Sequence, residues 1–372
     1  MNKIIVDSNF LGGNILLDSI EDNLIKVHQD LRDTDIDWFY WYFRVLGAAG
    51  RNLEIQFTES QALGGRGPAV SLDGGLTWRW LGAVQNQCFT YFVPPDQAEV
   101  RFSFGMPYLQ SNLDQFLKPL IGHPALREDV LCLSRKGRPV ELLNVGCLEK
   151  QADFHILLTC RHHCCEMMAS YSLEGVIQKV LDETEPGGWL RQHVTFWLVP
   201  FMDKDGVEDG DQGKNRRPWD HNRDYVGESI YPEVAAVRNL VSDRCGGRLD
   251  MAFDLHCPWI KGFLNEFIYF VGGQKNELWQ ETNAFSNILA ANRRGPIPFF
   301  LENNLPFGFD WNTGSEPGRK SFSEWASELP GIKVANCIEF PYANALGVEV
   351  NPKSARAFGA DLAEAIYRYL RT

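Results

Sequence analysis

Four short apolar runs constrain the fold of this chain more than any other feature. They are "FHILLTC" (154–160), "HVTFWLVPF" (193–201), "LDMAFDLHCP" (249–258) and "VANCIEFPY" (334–342). Each has the length of a strand buried on both faces, and helical patterns lie between them. The helices are expected from about Glu166 to Leu181, in "EVAAVRNLVSD" (233–243), in "NELWQETNAFSNILAAN" (276–292) and in the terminal "SARAFGADLAEAIYRYL" (354–370). "VLCLSRKGRPVELLNVG" (130–146) adds two strands around "KGRP", and "SNLDQFLKPLI" (111–121) a helix capped by Ser111. Alternation of this kind predicts an α/β fold, a mixed but largely parallel sheet with helices on both faces.

The front of the chain follows another rule. "DWFYWYFRVLG" (37–47) is too aromatic and β-branched for a surface helix. "NLEIQFTE", "LTWRWLG", "CFTYFVP" and "AEVRFSFGMPY" follow it at short intervals, separated by Gly, Pro and Asp. Short strands with turn signals predict an all-β sandwich. The expected division is 1–112 for the sandwich and 113–372 for the α/β part.

Composition excludes some partners. A net charge of −12 argues against a nucleic-acid or anionic-membrane binder, which needs basic patches. The apolar run at the N-terminus is broken at Asp7, too early for a signal-peptide core. No apolar segment approaches the ~20 residues of a membrane span. Nine scattered cysteines without a CxxC pair read as reduced thiols. A cytoplasmic protein is expected.

In open α/β sheets functional groups gather where strands end. Here one end carries His163 and Glu166, one opens the polar stretch 200–225, one carries Asp254 and His256, and one carries Glu339. His163, Glu166 and His256 with a water would make a catalytic zinc site of one ion per chain. Cys164 and Cys165 stand between His163 and Glu166, and adjacent cysteines converge poorly on one ion. Both are expected to be small fillers, and His162 to point the other way. Asp254 shares a strand face with His256; it either orients that histidine or binds a neighbouring loop. The run "DKDGVEDGDQGKN" fails as a calcium loop, because Val207 and Glu208 occupy the fifth and sixth positions counted from Asp203. Asp205, Glu208, Asp209 and Asp211 are expected in a solvated acidic turn.

These segments resemble the zinc metallocarboxypeptidase family, in particular its cytosolic branch, which is similar in having an N-terminal β-domain. The resemblance rests on Arg161-His162-His163-Cys164-Cys165-Glu166, "DKDGVEDGD…WDHNR", Asp254-Leu255-His256 and "NCIEF", in the family's order. It implies zinc on His163, Glu166 and His256, and Glu339 as general base. It also implies an arginine that polarises the scissile carbonyl about nine residues before Asn222. Position 213 is glycine, so Arg216 and Arg217 are the candidates. Cys164-Cys165 replaces the family's Pro-Gly, and its active-site tyrosine has no counterpart in 271–338.

Asn222-Arg223 suits a clamp on a terminal carboxylate, since the guanidinium fork matches that group. The expected activity is therefore zinc-dependent removal of a C-terminal residue from peptides or proteins. Two alternatives are an amidohydrolase or deacylase of small N-acyl amino acids on the same metal site, and a non-catalytic peptide-binding protein. If "GSEPGRKSF" (314–322) lines the pocket, Arg319 or Lys320 would favour an acidic terminal side chain.

Overall fold

The computed structural model describes residues 3–59 and 61–372. Two sheets form the front of the chain. The first has the order β1 (Ile5–Asp7), β4 (Tyr42–Leu46), β9 (Glu99–Ser103), β6 (Ala69–Ser71), β7 (Arg79–Trp80), all antiparallel. The second has the order β2 (Leu16–Glu21), β3 (Leu24–His28), β5 (Asn52–Phe57), β8 (Cys88–Phe92), with β3 and β5 parallel. Their inner faces alternate with polar residues and meet in an aromatic core, where Trp41 lies 4.7 Å from Phe57 and Phe89 5.2 Å from Phe102.

Helix α1 (Gln110–Leu117) leads into the α/β part. Ser111 lies inside its first turn; the cap is made by the Asn112 side chain accepting from Leu109 N. A seven-stranded sheet follows, in the order β10 (Leu126–Leu133), β11 (Pro139–Gly146), β13 (Val194–Val199), β12 (Phe154–Cys160), β14 (Met251–His256), β16 (Val334–Glu339), β15 (Tyr269–Val271). Only β13, β12, β14 and β16 are mutually parallel; β10, β11 and β15 are antiparallel additions. The sheet is thus mixed, its parallel part confined to the four predicted runs.

Successive residues of these strands enter opposite cores. Ile156 and Leu158 face α2 (Met167–Leu181), α3 (Glu185–His193), α6 (Asn276–Asn292) and α8 (Pro352–Leu370), in a core continuous with the sandwich. Leu157 faces α5 (Pro232–Cys245) and α7 (Phe322–Ala326). Burial on both faces is why the four runs are apolar throughout. None of the described helices is long and apolar enough to cross a membrane, and all nine cysteines are free.

A seam of hydrogen bonds ties the sandwich to the segment after α4 (Lys204–Asp209). Asn14 donates to Gly210 O at 2.8 Å, Arg32 pairs with Asp211 at 2.9 Å, and the Asp33 carboxylate accepts from Gln212 N and Gly213 N. The short acidic turn expected here is a helix end held by ions: Asp205 and Asp209 pair with Arg138, and Glu208 accepts from Gln110 N.

Helices α2 and α8 cross at two glycines. A β-carbon on Gly175 would lie 2.0 Å from Arg356 O, and one on Gly359 1.8 Å from Ser172 O. The backbones touch, so neither position can hold a side chain unless the helices separate. Because α2 begins just after Glu166, this crossing also sets where that residue sits. Gly359→Ala should therefore cost about 2–3 kcal/mol of stability, measured as a lowered midpoint in chemical denaturation.

Candidate active site

Strands β12, β14 and β16 are adjacent and parallel, so their carboxyl ends lie side by side. His256 pairs in register with Glu339, one strand spacing of about 4.8 Å away. Beyond β12 the chain turns sharply at Arg161, whose φ is +65°. The buried Arg161 guanidinium braces that turn, donating to Cys164 O, to Tyr108 O and to Ser170 Oγ. The turn delivers His163 and then Glu166, which is the residue before the first turn of α2 and uses its side chain for no helix cap. The positive end of the helix favours its carboxylate.

Three donor side chains meet there. His163 Nδ1 is 2.8 Å from Glu166 Oε1, His256 Nδ1 is 2.7 Å from Glu166 Oε2, and the two Nδ1 atoms are 3.2 Å apart. All three residues are buried. On its far side His256 Nε2 lies 2.5 Å from Asp254 Oδ2. A proton held there leaves Nδ1 with a lone pair directed at the centre. Asp254 also meets His162 Nδ1 at 2.8 Å and accepts from Thr159 Oγ1 at 2.9 Å. Of the two roles open for Asp254, it takes the one toward His256.

The charges agree with this geometry. Burial works against ionised Glu166, but His163 and His256 outweigh it and hold its pKa well below the usual range. Burial, helped by Lys214, lowers His163 to about 4, so its ring is neutral at pH 7. Burial also opposes charge on His256, yet Asp254 and Glu166 outweigh it and raise its affinity for a proton. The same two carboxylates favour a metal cation at that point.

Two imidazoles and one carboxylate, their donor atoms close to the ~3.3 Å separation of a tetrahedral zinc shell, fit zinc. Thiolates do not compete. Burial raises Cys164 well above 9.0 and pushes Cys165 up to about 12. Cys164 Sγ donates to Asp211 O, and Cys165 Sγ accepts from Trp38 Nε1. His162 points away and meets Tyr225 OH at 2.8 Å.

The donors line a cavity of about 420 Å³, together with Lys214, Asn222, Arg223, Tyr269 and Glu339. The profile of the zinc carboxypeptidase family matches residues 121–304. The chain carries a zinc carboxypeptidase domain. An uncharacterized protein of Zymomonas mobilis is 26% identical over 261 residues, 68% of this chain and 67% of that one. Cytosolic carboxypeptidase 3 of Mus musculus is 26% identical over 163 residues, 41% of this chain but only 16% of that protein. In fold, the metallo-carboxypeptidase from Burkholderia cenocepacia superposes with a TM-score of 0.81 at 21% identity, covering 99% of both chains. That likeness includes the N-terminal β-rich part.

Within this zinc carboxypeptidase domain, the expected carbonyl-polarising arginines lie elsewhere. Arg216 is held by Asp33, Asp203 and Asp211 at 2.8–3.0 Å, in a separate charged cavity. Arg217 is 83% exposed and pairs with Asp35. A cation that does reach the metal donors is Lys214, with Nζ 3.4 Å from His163 Nε2 and 5.8 Å from the centre of the Trp38 ring. Position 213 cannot carry an arginine: its φ is +77°, and a β-carbon there would lie 2.3 Å from Cys164 N.

Asn222 and Arg223 do border the cavity. Asn222 Nδ2 is 3.3 Å from His256 Nε2, and its Oδ1 accepts from Phe322 N. Arg223 donates one bond, to Asn222 O; its other guanidinium nitrogens have no protein partner among the described residues. Glu339 Oε2 is buried with no hydrogen-bond partner among those residues. Burial is the largest influence on it, His256 opposes, Glu166 reinforces, and its pKa is pushed up to about 7.

Tyr269 has no signal in the sequence, because it opens a three-residue edge strand. It pairs with Glu339 across β15 and β16, and its hydroxyl is also buried, with no hydrogen-bond partner among the described residues. Arg319 and Lys320 are not in the cavity. The first lies 3.2 Å over the Trp219 ring and the second pairs with Glu328, so the expected preference for an acidic side chain loses its basis.

His163→Ala and His256→Ala should each abolish stoichiometric zinc in the purified protein. Asp254→Ala should weaken zinc affinity about 10–100-fold. Metal analysis and competitive chelator titration check both; full zinc in either histidine variant would refute the ligand set.

Proposed function

We propose that the protein is a zinc-dependent exopeptidase that removes the C-terminal residue of peptides or proteins. The observation that carries this reading is Arg223, a cation beside the metal donors whose guanidinium is largely unpaired in an acidic chain. A chain end differs from an internal peptide bond by one negative charge, and Arg223 answers that charge. Asn222, adjacent in the same cavity, adds an amide donor.

Zinc on His163, Glu166 and His256 would supply Lewis acidity, which acidifies water and polarises a carbonyl. The remaining work belongs to the chain. Glu339 takes the proton of the attacking water and hands it to the departing amine nitrogen. Its pKa near 7 suits both halves of that transfer. Lys214 meets the negative charge that develops on the carbonyl oxygen. Asn222 and Arg223 fix the substrate carboxylate, so that the bond one residue inward faces Glu339. The cytosolic names among the relatives and nine free thiols support a cytoplasmic setting.

Glu339→Gln keeps the shape of the side chain but cannot accept the proton. It should lower kcat by ~10²–10⁴-fold with zinc retained. Lys214→Ala should lower kcat by ~10²–10³-fold, with zinc likewise retained. Steady-state kinetics with parallel metal analysis check these; near wild-type turnover in either variant removes that residue from the chemistry.

Arg223→Ala should reduce kcat/KM on free-carboxylate peptides about 10²–10³-fold, the loss expected when a desolvated charged contact is broken. Peptides amidated at the C-terminus should be poor substrates of the wild type. Equal cleavage of free and amidated peptides by the wild type would discard the exopeptidase reading and favour a deacylase or an endopeptidase.

A further inference from the structure

The cavity continues past the metal donors along the β15–β16 pair. Tyr269 stands opposite Glu339 and Val271 opposite Cys337, one step further in. The same cavity is also walled by Gln274, Phe307, Trp311, Ser321 and Glu324. We propose, building on the exopeptidase reading above, that this recess receives the side chain of the departing residue and is built for a basic one, lysine or arginine.

Glu324 is the observation behind this. Its Oε1 accepts from Ser315 N at 3.1 Å; its Oε2 accepts from Ser321 N at 2.7 Å and from Ser315 Oγ. These are neutral donors. No Lys, Arg or His among the described residues pairs with it: Lys320 is committed to Glu328, and Arg319 to the Trp219 face. Burial opposes the charge, but the serine donors outweigh it and hold the carboxyl below its usual range. The half-buried pocket therefore contains a fixed negative charge whose countercharge the protein does not supply.

The surroundings match the rest of a basic side chain. Gln274 Nε2, Glu324 Oε1 and the Phe307 ring converge on the backbone at Gly314, within 3.2–3.6 Å of where a β-carbon would sit. Phe307 and Trp311 offer aromatic surface to a methylene stem and to the cation itself. Tyr269 Oη, buried beside Trp311, adds an acceptor on the same wall. Lys214 lies beside His163, and Arg223, beside Asn222, is the cation assigned above to the terminal carboxylate. An acidic side chain in the recess would face the like charge of Glu324, which disfavours it.

The test uses dipeptides that differ only in the C-terminal residue: Lys, Arg, Phe or Glu. Binding to the full-length Glu339→Gln protein is measured by calorimetry, and kcat/KM is measured on the wild type. Lys and Arg peptides should bind at least tenfold tighter than the Glu peptide, the scale of one charge-assisted contact. Glu324→Gln in the same background can keep the cap on Ser321 N, and it should lower the Lys-over-Glu ratio about tenfold. Binding of the Glu peptide equal to or tighter than the Lys peptide overturns the proposal, as does a ratio unmoved by Glu324→Gln. Should the wild type turn over none of the peptides while the binding order holds, the exopeptidase reading fails and the pocket assignment stands.

Discussion

A single buried carboxylate organises the metal centre. Asp254 is 1% exposed and shared among Thr159, His162 and His256. Leaving such a charge unpaired in the interior would cost several kcal/mol, so its partners cannot drift. Its hold on His256 Nε2 turns Nδ1 toward Glu166. Its hold on His162 keeps that ring out of the cavity, where it would compete with His163. The sheet register does the rest. Thr159 and Asp254 are direct partners across β12 and β14, and His256 and Glu339 across β14 and β16, so the proposed base is placed by the same ladder that places the proposed ligand.

The segment from Asp203 to Arg223 divides an acidic chain's few cations between two tasks. Arg216 is surrounded by Asp33, Asp203 and Asp211 and is structural in the plain sense that its charge is spent on them. Lys214 and Arg223 face the other way, into the metal cavity. Gly213 separates the two environments: the backbone runs so close to Cys164 there that the side chain must appear one position later. The departure from the family pattern at 213 thus has a steric reason within this chain.

What could be read in the sequence was what local pattern determines. The helix at 276–292 begins and ends where the pattern placed it, and the four apolar runs are the four parallel strands, because burial on both faces leaves no other composition possible. The convergence of His163, Glu166, His256 and Glu339 followed from strand ends in one sheet. What depended on loop packing was hidden. Arg216 and Lys214 are two residues apart and chemically alike as letters; only the carboxylates brought by the sandwich decide which one is neutralised. Tyr269 sits in a three-residue edge strand too short to announce a register. Asp205 and Asp209 looked solvated because their partner, Arg138, lies in a distant hairpin.

The seam at Asn14, Arg32 and Asp33 has a consequence for how this chain can be divided. Those residues belong to the sandwich, yet they hold Gly210, Asp211, Gln212 and Gly213, and the next residue is Lys214. The sandwich also supplies Trp38 to the cavity wall. A boundary drawn between the β-rich front and the α/β remainder therefore runs through the reaction centre's own scaffolding. The two parts are architecturally distinct without being modular: swapping the front for another β-domain would remove the groups that hold the backbone leading to Lys214.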